Sequence, residues 1–312
     1  MSRLPGNERG FALVLTLVVT ALMVAVTTEL IHQVYVDTAL SRGFRDGQQA
    51  SLLAESGITG GSRLLRLVLD NQQYSSLSDK WAEPLRLDDE TGTVEITTSE
   101  ESGLVNLNTL VQPNGEVDQA TMAMLRRLGK MAQLPDDAWN ALADWQDGDD
   151  VPRANGAESP YYRSLKTPYE ARNAKIATVT ELSMVRGFTP EAVAALRPFV
   201  TSYASQPGAP VAQVNINTAP KEVLMALDDR IDVRMAERIM EERRLKPFRS
   251  TAELSRVQGL ESIAIGMVGR ISVKGTVFRV RSVARVKESS RTVEAVLRVA
   301  GGSPEVLSWR EY

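Results

Sequence analysis

Four aspartates crowd into one short stretch of this chain. Asp144, Asp147, Asp149 and Asp150 lie within seven residues, in Asp144-Trp145-Gln146-Asp147-Gly148-Asp149-Asp150, and Gly148 permits a tight turn among them. Carboxylates this close raise one another's pKa and destabilise a compact loop unless something neutralises them. A hard cation that takes six to eight oxygen ligands would do so, and calcium is the ion of that class. The stretch departs from the EF-hand pattern, because Glu158 falls at the twelfth place after Asp147 but the intervening spacing does not fit. The competing reading is a solvated acidic turn. Trp145 and the Tyr161-Tyr162 pair argue against a loose loop, since aromatic side chains of this size demand burial.

Composition narrows the other chemistries. The chain has 312 residues, a formal net charge of −3, no cysteine and a single histidine, His32. One histidine beside an apolar run excludes a His-based triad in the remaining chain and disfavours zinc. The slight negative charge gives no footprint for nucleic acid. Without disulfides, a bound metal is one candidate staple for the fold.

The elements that must position this loop begin with Phe11 to Thr28, eighteen residues without charge, Pro or Gly. That length and composition reach the threshold for a membrane-spanning helix. The run is preceded by a short polar leader carrying Arg3 and Arg9 and ending in Gly10-Phe11. No small-x-small cleavage site follows Thr28, which weighs against a secretory signal. The order of leader, Gly, Phe and apolar run resembles the type IV prepilin leader. That resemblance implies cleavage between Gly10 and Phe11 by a prepilin peptidase. The arginines place the N-terminus in the cytoplasm by the positive-inside rule, with the bulk of the chain in the periplasm. The fifth residue after that junction is Leu15, where pilins carry Glu. In the pilin family the Glu is thought to pair with a neighbour's N-terminal ammonium, so Leu15 fits a subunit at a filament tip.

Beyond Thr28 the apolar spacing stays helical, and one helix from Phe11 to about Leu69 would be about 90 Å long. Gly43, Gly47, Gly57, Gly60 and Gly61 soften it, and two helices broken near Gly43 or Gly60 is the other reading. Leu85 to Leu87 and Thr93 to Thr98 read as a hairpin about Asp88 to Gly92. Strand alternation returns at Val277 to Val286, Thr292 to Val299 and Val306 to Trp309. The block between is helical to about Val268.

That block repeats itself. Val105-Asn106-Leu107-Asn108-Thr109 matches Val214-Asn215-Ile216-Asn217-Thr218, and Glu181-Leu182-Ser183-Met184-Val185-Arg186-Gly187 matches Glu253-Leu254-Ser255-Arg256-Val257-Gln258-Gly259, in the same order. Two related helical modules follow from this. The second resembles a helix-hairpin-helix repeat, but its turn, Asp228 to Asp232, has no Gly and three aspartates, which would repel phosphate. The fold class is therefore α+β: a long N-terminal helix and small antiparallel sheet of the type IV pilin kind, with a large inserted all-α domain. The boundaries are a leader at 1–10, a membrane helix at 11–31, pilin helix and first strands at 32–104, the insertion at 105–269 (modules 105–205 and 214–269), and closing strands at 270–312.

Taken together, the Gly10-Phe11 leader, Leu15, the N-L-N element, the D-W-x-D-x-D…G-A-E loop, E-L-x-x-V-x-G, N-I-N-T-A and the late strands resemble the K-type minor pseudopilins of bacterial type II secretion systems, the GspK family. The resemblance implies an assembly protein rather than an enzyme. It would be anchored in the inner membrane and sit at the pseudopilus tip with I- and J-type minor pseudopilins, starting or limiting assembly for export of folded exoproteins. It also implies calcium in the helical domain, a role carried to Asp144, Asp147, Asp149 and Glu158. The rival classes are a minor pilin of a type IV or DNA-uptake system and a membrane-anchored hydrolase using the carboxylates.

Overall fold

The structure is a computed structural model and describes residues 8–203 and 213–312. Its spine is helix α1, Glu8–Leu69, continuous for 62 residues. No break occurs at Gly43 or Gly60, so the two-helix alternative does not hold. The helix has two environments. From Phe11 to Phe44 its large apolar side chains are exposed all round. From Ala50 onward it buries one stripe, Ala50, Ala54, Ile58, Leu65 and Leu69, at the three-to-four-residue spacing that keeps side chains on one face.

That stripe lies on a five-stranded antiparallel sheet. Strands β1 (Leu85–Asp89) and β2 (Gly92–Glu100) form the first hairpin. The turn is tighter than the spacing suggested. Asp89 Oδ1 accepts hydrogen bonds from the backbone N–H groups of Thr91 and Gly92, at 2.8 and 3.1 Å, and leaves only Glu90 and Thr91 between the strands.

The chain then leaves the sheet and makes the inserted block. Its first half runs through β3 (Val105–Asn106), α2 (Gln119–Met131), α3 (Asp137–Gln146), α4 (Ser159–Arg163), α5 (Pro190–Leu196) and β4 (Val200–Thr201). Its second half runs through β5 (Val214–Asn215), α6 (Lys221–Leu227), α7 (Val233–Leu245), α8 (Glu261–Gly266) and β6 (Ile271–Ser272). The sheet is completed by β7 (Val277–Val286), β8 (Ser289–Arg298) and β9 (Glu305–Glu311), in the order β1-β2-β7-β8-β9.

Two separate cores result. The sheet core joins Ala54, Ile58, Leu65 and Leu69 of α1 to Val94, Ile96, Phe278, Val280, Val293 and Ala295, and Trp81 packs edge-on against Phe278 at 5.1 Å. The helical core spans both halves of the insertion, from Leu107 and Leu125 to Ile239 and Leu260.

The repeated phrases occupy equivalent places. Each half is closed by a two-residue parallel pair, β3 with β4 and β5 with β6. These short strands are an addition to the purely helical pattern read from the sequence. The repeated asparagines fasten them. Asn108 donates to Ile176 O and Ser202 O and accepts from Ile176 N; Asn217 donates to Phe248 O and Val273 O and accepts from Phe248 N. Asn106 and Asn215 each accept from the backbone N–H two residues on. Gly187 and Gly259 sit at φ of 90° and 88°, which is why both phrases end in glycine.

The helical block is joined to the sheet through Glu100 and Glu101 at the end of β2. Glu100 is buried, and its carboxyl accepts from Ser75 Oγ at 2.8 Å and Asn215 Nδ2 at 2.7 Å. Gly275 is glycine because a Cβ there would fall 1.9 Å from Glu100 Oε1. Burial pushes the Glu100 carboxyl up to about 7, against the opposing pull of those hydrogen bonds and with a further push from the Asp79 charge. Glu101 binds Arg279 at 2.7 Å and accepts from Thr201 Oγ1.

Two predictions follow from this packing. The Glu100 pKa is raised in the folded chain, so its contribution to stability is complete below the ordinary carboxylate range and is lost as pH rises through about 7. Denaturation of the detergent-solubilised chain should show Glu100→Gln removing up to about 3 kcal/mol of the wild-type loss of stability between pH 4.5 and 8.5. Secondly, a Cβ at Gly57 would meet Ser282 Oγ at 2.1 Å and Val94 Cγ1 at 2.9 Å, whereas nothing lies within 4 Å of one at Gly60. Gly57→Ala should therefore cost about 1–3 kcal/mol, while Gly60→Ala should gain about 0.5–1 kcal/mol, as read from thermal melts.

Candidate functional site

The acidic loop is set by α3 and α4. Helix α3 buries Trp139, Leu142 and Trp145 on the helical core, and Asp144 is carried inward beside them with no exposed surface. Asp147 ends the helix: its N–H bonds Ala143 O at 3.0 Å and its backbone turns extended. Glu158 stands immediately before α4, whose Pro160 lies in the first turn. The two helices are locked by aromatic contacts. Trp145 meets Tyr162 edge-on at 5.0 Å, Tyr162 stacks on Tyr169 at 5.2 Å, and Trp145 Nε1 donates to Glu181. Tyr162 is fully buried, while Tyr161 stays at the surface.

This packing brings Asp144, Asp147 and Glu158 together, each offering a carboxylate oxygen within 4.8 Å of the others, and all three are buried. Asp149 does not join them. It is exposed and accepts from the backbone N–H of Val151 at 2.8 Å, and Asp150 is exposed beside it. Among the described residues, both oxygens of Glu158 and Oδ1 of Asp147 are buried without a hydrogen-bond partner. Such orphaned acceptors are costly when they carry charge.

The site answers this cost in part. Burial and the charges of Asp147 and Asp144 push the Glu158 carboxyl up to about 8. Asp147 is also raised, because burial outweighs the hydrogen bond and charge of Arg153. Arg153 donates from Nη1 to Asp144 Oδ1 at 2.8 Å and to Asp147 Oδ2. Sequence reasoning passed over Arg153, although it is the one basic residue between Asp144 and Glu158. Gly156 leaves the room this geometry needs, since a Cβ there would stand 1.9 Å from Asp144 Oδ2.

The residues of the expected processing junction lie at the other end of the molecule. Gly10 and Phe11 are within α1, Phe11 is exposed, and Arg3 lies outside the described residues. Leu15 and the residues to Thr28 face outward with no protein covering them, in the one helix among the described residues long and apolar enough to cross a membrane. The turn from Asp228 to Asp232 joins α6 to α7. Its acids are engaged: Asp228 pairs with Arg230, Asp229 with Arg127, and Asp232 caps the N–H of Met235.

Models of the family described as type II secretion system (T2SS), protein K match residues 103–205 and 214–274, together more than half of the chain. The chain belongs to the type II secretion system protein K family. A relative of that name from Pectobacterium carotovorum subsp. carotovorum is 26% identical over 98% of this chain and 97% of its own length. One from Aeromonas hydrophila is 26% identical over 93% of this chain and 92% of its own. The fold matches a chain in a crystal structure of the GspK-GspI-GspJ complex from the enterotoxigenic Escherichia coli type 2 secretion system. The TM-score is 0.72 at 21% identity, covering 87% of this chain and 99% of that one. As a protein K family member, the chain is a minor pseudopilin of type II secretion, anchored by its N-terminal apolar helix.

Proposed function

We propose that this pseudopilin caps the tip of the pseudopilus, in company with I- and J-type minor pseudopilins, and so starts or limits its assembly. The observation that carries this reading is where the insertion sits. It leaves the sheet after Glu100 and returns at Val277, and Lys274 donates to the carbonyls of Leu69 and Gln72 at 2.8 and 2.7 Å. The helical domain is thus fixed at the end of α1 farthest from the apolar run. A helical block at that end stands where a further subunit would have to be added, which supports a place at the tip. The composition of the related complex, GspK with GspI and GspJ, supports the choice of partners.

The N-terminal half supplies the assembly chemistry. With the leader in the cytoplasm and the remainder in the periplasm, a prepilin peptidase cuts between Gly10 and Phe11. The exposed apolar run then exchanges lipid for the helices of sister subunits at little hydrophobic cost, because both surroundings are apolar. Leu15 offers no carboxylate to a neighbour's ammonium. This role asks for no catalytic step.

Calcium is the ion we assign to the acidic loop. The three buried carboxylates, with three unpartnered oxygens among them, match the all-oxygen donor set of a hard cation. Asp144, Asp147 and Glu158 would hold it, and the exposed Asp149 would act through its charge. Bound there, the ion would supply the cross-link between α3 and α4 that a cysteine-free domain otherwise lacks.

Two experiments test these assignments. Saturating calcium should raise the melting temperature of the full chain in detergent by about 4 °C over chelator, on the scale of a ligand at a hundred times its dissociation constant. Magnesium should give little, and Glu158→Gln should abolish the shift. For the leader, Gly10→Asp should leave an unprocessed, folded chain that fails to support secretion. A processed band with normal secretion from that variant would refute the junction.

A further inference from the structure

Arg153 occupies the acidic site in a way that bears on how an ion enters it. Its guanidinium spans Asp144 and Asp147, Nη2 donates to Gly115 O at 3.1 Å, and its own backbone N–H points at both Asp144 oxygens, at 3.3 and 3.2 Å. Glu158, 3% exposed, has both oxygens without a hydrogen-bond partner among the described residues. One guanidinium against three carboxylates leaves two formal negative charges when all are ionised, the charge of one divalent cation.

The outer side of Arg153 faces an open cleft of about 490 Å³, which Glu116, Gln119, Arg126 and Asn140 also line. The side chain therefore has space to move outward and an acid, Glu116, to move toward.

Resting on the reading of this loop as a divalent-ion site, we infer that Arg153 is a resident counter-ion that competes with the incoming cation for Asp144 and Asp147. Without the ion it holds the two aspartates in place. With the ion bound, its guanidinium gives up Asp144 and Asp147, but its like charge stays near the metal and lowers the affinity. Arg153 is in this sense a positioning residue and also the element that sets how readily the site empties.

Calcium titration calorimetry on the full chain in detergent, paired with melts in chelator, tests this on wild type, Arg153→Gln and Arg153→Lys. Removing one positive charge a few ångströms from the ion should tighten calcium binding about tenfold or more. The same Arg153→Gln variant should melt below wild type in chelator and close to it in saturating calcium. Arg153→Lys keeps the charge but loses the fork that bridges two carboxylates, and should fall between the two. Should Arg153→Gln not hold its fold without calcium, the lysine variant decides alone, tighter binding than wild type supporting the inference and weaker binding overturning it. Weaker or unchanged calcium binding by a folded Arg153→Gln would overturn the inference while leaving the ion site standing. No calcium binding by any of the three would remove the ion site, and the inference with it, even if Arg153→Gln melted low in chelator.

Discussion

The structure depends on how a sheet can be cut open and still hold together. Between β2 and β7, neighbouring strands paired from Thr93 with Arg285 to Glu100 with Phe278, the chain makes an excursion of well over a hundred residues. Two consecutive glutamates at the cut tie the excursion down. Glu100 reaches Asn215, at the start of the second helical half, and Ser75, beyond α1. Glu101 reaches Thr201, at the end of the first half, and Arg279 on β7, which in turn holds Glu294 on β8. Both halves of the insertion are thus pinned to one strand end by buried, hydrogen-bonded acids. Buried polar groups of this kind are worth having only when satisfied, and they then fix one relative placement.

That placement gives meaning to the duplication. A two-residue parallel strand pair has no stability of its own, and neither half of the insertion has a core apart from the other. The repeated asparagine in each half converts a loop crossing into a fixed joint by serving two carbonyls and one N–H at once. Each repeat therefore spends the same residues on the same joint, and the apolar sides of the two halves merge into one core. The first half diverges where it adds the acidic loop, whose flanking residues Trp145, Ala157 and Tyr162 join the common core.

Helix α1 shows how glycines in one element serve different ends. Gly57 and Gly61 lie in the buried stripe, where a Cβ would press on Ser282, Val94 and Val280, so they allow the helix to lie close against the sheet. Gly43 and Gly60 face open space. The helix remains continuous because its distal half gains enough from packing to offset the poor propensity of all five glycines, the usual source of helical stability in folded proteins.

The sequence by itself determined the elements whose signals are periodic and local. These are the apolar run at Phe11 to Thr28, the stripe that follows it, the strands on either side of the insertion, and the duplicated phrases. A residue's face on a helix or strand follows from spacing alone, so these were legible without coordinates. The membership of the acidic site was legible only in part. Asp144 and Glu158 meet because Trp145 and Tyr162 pack on one another and draw α3 and α4 together, while Asp149, two residues from Asp147, turns to solvent to satisfy Val151 N–H. Arg153 between the carboxylates, and Glu100 and Glu101 between the two domains, carry no periodic mark. Their roles come from contacts between residues distant in the chain or around an irregular turn, and only the tertiary packing decides those.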